Sequence, residues 1–376
     1  MPAHPWLAER TDRFDSSGIR KVFDLAAKLE NPINLSIGQP DFPAPDALKQ
    51  AARAAIDADL SGYSQTQGIG PLVTRLQHEI DQRWGHEDRK VLVTSGTSGA
   101  LNLAMWALVD PGDEVIVFDP YFVMYPTLTE MVGGVPVVID TYDDNDAERG
   151  FQVDLAKVEA AITPRTKLIL FNSPANPTGV VASPEATRGL AELAAKHNVA
   201  LLSDEIYSRF CYDGALPSPA HHNPQTIVVD GFSKSYGVTG WRIGWISGPA
   251  AVIEKMAALQ QYTFVCAPHP LQHAALAAFD TDITPLVDGY RERRDRVVNG
   301  LRDAGYEVAP TGGAFYVFPR VPDGYEGGAD FARRAIEHEL LIIPGGIFSR
   351  RDTHFRLSYA ASFETIDRGL EVLGRL

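Results

Sequence analysis

Cysteine is almost missing from this chain of 376 residues: there are two, Cys211 and Cys266, far apart, with no C-x-x-C spacing and no histidine cluster to match. Neither a disulfide framework nor a thiolate zinc site is indicated, and free thiols in a reducing compartment are expected. Long apolar runs are lacking too, since nothing approaches the ~18 consecutive apolar residues of a membrane span. The opening stretch, Met1-Pro-Ala-His-Pro-Trp-Leu-Ala-Glu-Arg10, has no basic segment leading into an apolar one, so it does not read as a secretory signal. Together these absences predict a soluble, cytoplasmic protein with no membrane partner. Positive charge is in deficit: 34 Lys and Arg against 48 Asp and Glu leave a formal net charge of −14. That balance disfavours binding to a phosphate backbone, so nucleic acid is not an expected partner. Repeats and low-complexity stretches are absent, which predicts order throughout.

What is present suits a large globular enzyme. Hydrophobic residues make up 45% and charged residues 22% of the chain, enough for a sizeable core. At roughly 150 residues per domain the length suggests two or three units. From about residue 91 short apolar runs (Val91–Thr94, Glu114–Phe118, Lys167–Phe171, Val199–Ser203, Thr226–Asp230) alternate with helix-like stretches such as Ala100–Val109 and Pro184–His197. Alternation of this kind is the signature of βαβ units and a mostly parallel sheet. The runs are continuous rather than alternating in polarity, as strands covered on both faces require. After residue 285 the texture changes to a long charged helix (Leu286–Ala304), short strands (Tyr306–Val308, Phe315–Phe318, Leu341–Ile343, Phe355–Ser358) and two helices (Ala329–His338, Phe363–Leu373). The first 47 residues, with a helix-like Ile19–Leu29, do not fit the parallel sheet and are expected to join that C-terminal unit. The predicted fold class is therefore α/β: a large domain over 48–285 with a mostly parallel central sheet flanked by helices, plus a smaller α+β domain from 1–47 and 286–376.

In an open α/β sheet, ligands bind beyond the carboxyl ends of the strands, so the residues that follow each apolar run carry the information. They are Ser95-Gly-Thr-Ser-Gly99 opening a helix, Asn172-Ser-Pro-Ala-Asn-Pro-Thr-Gly179, Asp204-Glu-Ile-Tyr207, and Gly231-Phe-Ser-Lys-Ser-Tyr-Gly-Val-Thr-Gly-Trp-Arg242. Small and hydroxyl residues at a helix N-terminus leave backbone N–H groups free to hold a phosphate. Singly these pieces have plain structural readings: Lys234 as a surface cation, Asp204 as a cap, Tyr207 as a core aromatic, Asn176-Pro-Thr-Gly179 as a turn, Arg242 as an ion-pair partner. Their joint order and position argue otherwise. A dinucleotide site is disfavoured because Gly96-Thr-Ser-Gly99 lacks the G-x-G-x-x-G spacing.

This arrangement resembles the fold type I, pyridoxal-phosphate-dependent aminotransferases of class I/II, the group that includes aspartate and aromatic aminotransferases. The likeness runs from Ser17-Gly-Ile-Arg-Lys-Val-Phe-Asp-Leu-Ala26 and Leu35-Ser-Ile-Gly-Gln-Pro-Asp-Phe42 to Phe355-Arg-Leu-Ser-Tyr-Ala360. It implies a ping-pong enzyme that moves an amino group between an L-amino acid and a 2-oxo acid, with pyridoxal 5'-phosphate as cofactor and no metal. Such chemistry needs a primary amine of depressed pKa to hold the cofactor aldehyde and move the substrate Cα proton. By resemblance that amine is Lys234. Asp204 is implied as the carboxylate that keeps the pyridine nitrogen protonated, and Tyr207 and Asn176 as partners of the ring's 3-oxygen. The phosphate is implied to sit on Gly96, Thr97 and Ser98 with Arg242 as counter-charge and Ser233 as a further contact. Phe122 matches an aromatic that stacks on the ring. Tyr63 matches a tyrosine that reaches the phosphate of a neighbouring subunit, which implies an obligate homodimer. Arg356 matches the guanidinium that grips the substrate α-carboxylate through two parallel bonds, completed by Gly38 and Asn176. Gly312-Gly-Ala-Phe-Tyr316 resembles a segment that closes over the substrate.

Two departures stand out. Many relatives carry serine where this chain has Gly231, which removes one phosphate hydroxyl. The segment Gln260–Gln272 shows no second arginine for an acidic substrate side chain, so aspartate, aromatic and alanine-type donors all stay open. A C–S lyase or other eliminase on the same site is the alternative, since the fate of the carbanion depends on surrounding groups. A regulator carrying such a domain would need an appended DNA-binding region, and none is visible.

Overall fold

The structure is a computed structural model that describes residues 4, 6–14, 18, 29, 31–144, 146 and 149–376. The expected helix over Ile19–Leu29 and most of the Ser17–Ala26 motif fall outside the described residues. In chain order the elements begin with strand β1 (Ile33–Asn34), helices α1 (Asp46–Asp57) and α2 (Gly70–Trp84), β2 (Arg89–Thr94), α3 (Gly96–Leu108), β3 (Glu114–Asp119), α4 (Met124–Met131) and β4 (Val135–Asp140). Next come α5 (Leu155–Ala161), β5 (Thr166–Asn172), α6 (Pro184–His197), β6 (Ala200–Asp204), β7 (Ile227–Gly231), β8 (Gly244–Pro249), α7 (Ala250–Thr263) and α8 (His269–Leu276). The chain ends with α9 (Thr284–Asp303), β9 (Tyr316–Val317), α10 (Gly328–Glu337), β10 (Leu340–Leu341), β11 (Ile343–Pro344), β12 (Phe355–Ser358) and α11 (Phe363–Leu373).

Seven strands form the central sheet in the order β2-β8-β7-β6-β5-β3-β4, parallel except for β8, which runs antiparallel to both neighbours. Burial on both faces is visible residue by residue. Leu168 and Leu170 of β5 join one core with Val115, Val117 and Met105, while Ile169 and Phe171 join another with Ile116, Leu190 and Leu201. Local chemistry sets the helix ends: the Ser183 hydroxyl accepts from Ala186 N at 3.1 Å with Pro184 at the first position of α6, and Asn198 closes that helix in the left-handed region.

All five apolar runs are strands, and the structure adds two the sequence did not announce. β4 lies at the sheet edge, where Pro136 is tolerated. β8 contains Gly244 and Gly248 and ends in proline, a weak strand signal, but Gly244 is required by packing: a Cβ there would lie 2.8 Å from Thr97 N at the start of α3. Tyr306–Val308 forms no strand. The terminal segments meet as expected: β1 pairs in parallel with β10 (Ile33 with Leu340), and β11, β12 and β9 form a three-stranded antiparallel sheet. Their core, with Leu35, Val297, Phe315, Leu357 and Ile366, continues into Ile206, Tyr207 and Phe210 just beyond β6. That continuity brings the terminal segments to the carboxyl ends of the central strands.

Candidate active site

A cavity of about 310 Å³ opens at this junction. The ends of β6 and β7 supply Asp204, Tyr207, Ser233 and Lys234; the segment after β5 supplies Asn172 and Asn176; the start of α3 supplies Thr97 and Ser98; the terminal segments supply Gly38, Tyr316 and Arg356.

Lys234 Nζ donates to Gly38 O at 2.7 Å. Burial, together with the guanidinium charges of Arg356 and Arg242, pushes its ammonium down to about 8, against the pull of Asp204. A lysine so placed is a free amine in useful proportion near neutral pH. Asp204 accepts from the Tyr125 hydroxyl at 2.9 Å and from Ile206 N at 3.2 Å. Burial nevertheless raises it to about 6, which marks a carboxylate short of cationic partners. The Tyr207 and Tyr316 hydroxyls lie 3.0 Å apart, and burial holds the Tyr207 phenol well above its ordinary value, so it acts as a neutral hydrogen-bonding group.

Arg356 is buried with its guanidinium between two rings, 4.5 Å from the Tyr316 centroid and 4.6 Å from that of Phe348. It donates to Asn176 Oδ1 at 3.0 Å and to Ser36 O at 2.9 Å, while its Nε has no partner among the described residues. A buried donor without an acceptor costs about 1–3 kcal/mol, and a carboxylate arriving in the cavity supplies one.

The start of α3 is built to receive an anion. Ser95 makes no side-chain cap bond, so the first amides are left to other partners. Arg242, held at φ 57° and bonded through Nη1 to Thr239 O at 2.9 Å, brings its guanidinium so close to Gly96 that a Cβ there would lie 2.5 Å from Nη2. Gly231 also has a packing reason: a Cβ would lie 2.9 Å from Gly244 Cα where β7 and β8 approach.

The structure thus brings together Gly38, Thr97, Ser98, Phe122, Asn176, Asp204, Tyr207, Ser233, Lys234, Arg242 and Arg356 on one cavity, with Gly96 behind Arg242. Tyr63 is apart from them, 85% exposed on the surface of this chain. Sequence reasoning missed Tyr125 and the Phe348 ring over Arg356. Tyr125 follows Phe122 by three residues and packs edge-on to it at 5.6 Å, a spacing ordinary for a core helix; Phe348 carries no local signal.

The family model for aminotransferase class I and II matches residues 30–373. A probable aspartate aminotransferase of Methanocaldococcus jannaschii is 38% identical over 98% of both chains. Aromatic-amino-acid aminotransferase 2 of Thermococcus litoralis is 31% identical over 97% of this chain and 96% of its own. Among solved structures, aspartate aminotransferase from Thermus thermophilus with maleate superposes with a TM-score of 0.92 at 35% identity, covering 99% of this chain and 100% of that one.

Proposed function

That the chain belongs to the class I and II aminotransferases is the premise from which we propose that the 310 Å³ cavity holds pyridoxal 5'-phosphate and passes amino groups between an L-amino acid and a 2-oxo acid in two half-reactions. The observation that carries this reading is the convergence of an amine of lowered pKa, a carboxylate short of a cation and a buried guanidinium with an orphan donor on one cavity. When bound, the cofactor supplies an aldehyde that takes up the amine and a protonated ring that draws electrons from the substrate Cα.

The residues divide the remaining work. Gly96, Thr97 and Ser98 give the start of α3 to the phosphate, with Arg242 as counter-charge and Ser233 at the rim. Asp204, steadied by Tyr125, faces the ring nitrogen and keeps its proton in place. Asn176 gives its Oδ1 to Arg356, which leaves its amide NH₂, with the Tyr207 hydroxyl, for the ring oxygen. Phe122 lies against the ring. Arg356 grips the α-carboxylate with Gly38 beside it. With the cofactor bound, Lys234 Nζ would be the group that takes and returns the substrate Cα proton, and its lowered pKa makes it a base suited to neutral pH.

Residues 48–285 are assigned as the cofactor-binding domain and 1–47 with 286–376 as the small domain, a division supported by the separate central and terminal sheets. The exposed rings of Tyr63 and Tyr262, 85% and 87% accessible, support a homodimer in which Tyr63 reaches the partner's phosphate site. The names of the relatives favour aspartate and aromatic amino acids as donors.

The test is a panel of L-amino acids mixed with purified holoenzyme while its visible absorption is followed. Productive donors convert the cofactor to its amine form and release the matching 2-oxo acid, and a 2-oxo acid alone reverses the change. Release of ammonia without an acceptor would overturn the reading in favour of elimination. A Lys234→Ala protein retains cofactor without a covalent link and loses at least roughly 10³-fold in turnover, within the range of positioned proton transfer; ordinary turnover in that variant ends the assignment.

A further inference from the structure

The face of β7 that packs against α2 carries a second cavity, of about 450 Å³, within the size range of small-molecule sites. Its lining combines aromatic rings, Trp84 from the end of α2, Phe232 and Tyr236 after β7, Trp245 of β8 and Phe279, with the charged side chains of Glu79, Arg83 and Arg209. At its base lies Asp230, buried in the sheet. Oδ1 of Asp230 accepts from Gly231 N at 2.6 Å and Oδ2 from the Ser208 hydroxyl at 2.8 Å. Both donors are neutral, and no ion pair to Asp230 forms among the described residues. Arg83, whose charge acts on Asp230, is bonded to Glu205 at 3.0 Å and stacked on Trp84 at 4.7 Å. Burial raises the Asp230 carboxyl to about 7. Two further polar atoms of lining residues, Trp84 Nε1 and Ser235 Oγ, are buried without a hydrogen-bond partner among the described residues. A buried carboxylate with spare acceptor capacity, aromatic rings and the Ser235 hydroxyl, which can accept as well as donate, together describe a receptor for a cation with an apolar body.

We infer that this cavity binds a small aromatic amine, with its ammonium against the Asp230 carboxylate and its ring among Trp84, Phe232 and Phe279. The site is separate from the first cavity but adjoins its loops: Ser208 directly follows Tyr207, and Asp230 precedes Lys234 by four residues.

The probe is N,N-dimethyl-2-phenylethylamine, a tertiary amine that cannot condense with an aldehyde, titrated calorimetrically into holoenzyme. Saturable binding at one site per chain is expected. Asp230→Asn, which keeps the shape and the bond from Gly231 N and turns the Ser208 hydroxyl into the acceptor of the new amide NH₂, weakens it at least about 10-fold, as loss of a charge-assisted bond implies. The neutral 2-phenylethyl methyl ether binds the unmodified protein at least about 10-fold more weakly for the same reason. Phe279→Ala, on a partly exposed wall, weakens binding, and Arg356→Lys in the first cavity leaves it unchanged. No saturation up to roughly 10 mM, the upper range of weak specific binding, overturns the inference. So does equal affinity of the amine and the ether, or loss of binding in Arg356→Lys.

Discussion

Asp204 and Asp230 end neighbouring strands of one sheet, are both buried, and are both raised by that burial, to about 6 and about 7. They face different cavities. Asp204 shares its cavity with Lys234, Tyr207 and Arg356, while Asp230 looks toward α2 and the aromatic walls of the other. Residue type, burial and pKa therefore do not mark a catalytic acid here; the company on its face of the sheet does. The larger of these two cavities is also not the one that holds Lys234, Tyr207 and Arg356, the groups proposed for catalysis and substrate binding.

The sharpest way to break this contrast is to neutralise each acid alone. Asp204→Asn should lower kcat by about 10²–10³-fold, the usual loss when a preorganised electrostatic partner is removed, whereas Asp230→Asn should keep kcat within roughly 3-fold, the range of an ordinary neutral hydrogen bond. Steady-state kinetics on both variants decides it; equal losses would mean that the two faces are not functionally distinct. Next in size is Arg356→Lys. A lysine loses the planar fork held between Tyr316 and Phe348 and should raise the KM for the amino donor by about 10–100-fold, matching charge-assisted bonds of roughly 1.5–3 kcal/mol. Smaller again is Tyr125→Phe, which removes one bond to Asp204 and should lower kcat by about 3–10-fold, with the cofactor's absorption titrating at a shifted pH. A change in thermal stability alone, with both kinetic and spectral behaviour intact, would leave Tyr125 a packing residue.

What the sequence made legible follows from how the sheet is built. The runs in β5, β6 and β7 are apolar on both faces, so they read as central strands, and the loops at their carboxyl ends carry Asn176, Tyr207 and Lys234 in chain order. β8 was silent because glycine serves there to let β7 and α3 approach, which weakens the very pattern that announces a strand. Phe348 was silent because its contact with Arg356 depends on how β11 and β12 turn back on each other, a long-range pairing that no local spacing encodes. Asp230 was visible as a strand-end residue but not as a cavity residue, since the walls come from α2, the start of β8 and Phe279.

The last effect concerns stability and tests Asp230 without reference to catalysis. In an unfolded chain its carboxyl loses its proton near the ordinary aspartate value of 3.8, but in the folded protein only at about 7. Between those values the native state holds the proton and the unfolded state does not, so this group's contribution to stability falls as pH rises through the window. Asparagine has no such proton. Denaturant unfolding of Asp230→Asn against the parent, read from pH 4.5 to pH 7.5, should therefore show the variant gaining relative stability with pH, by up to about 3 kcal/mol across the range. An Asn substitution at Glu205's partner Ser218 would not do this, because no titrating group is lost there. A difference that stays flat would mean that Asp230 is ionised throughout with a cation already in attendance, and that pairing would leave its carboxylate no open place for an amine.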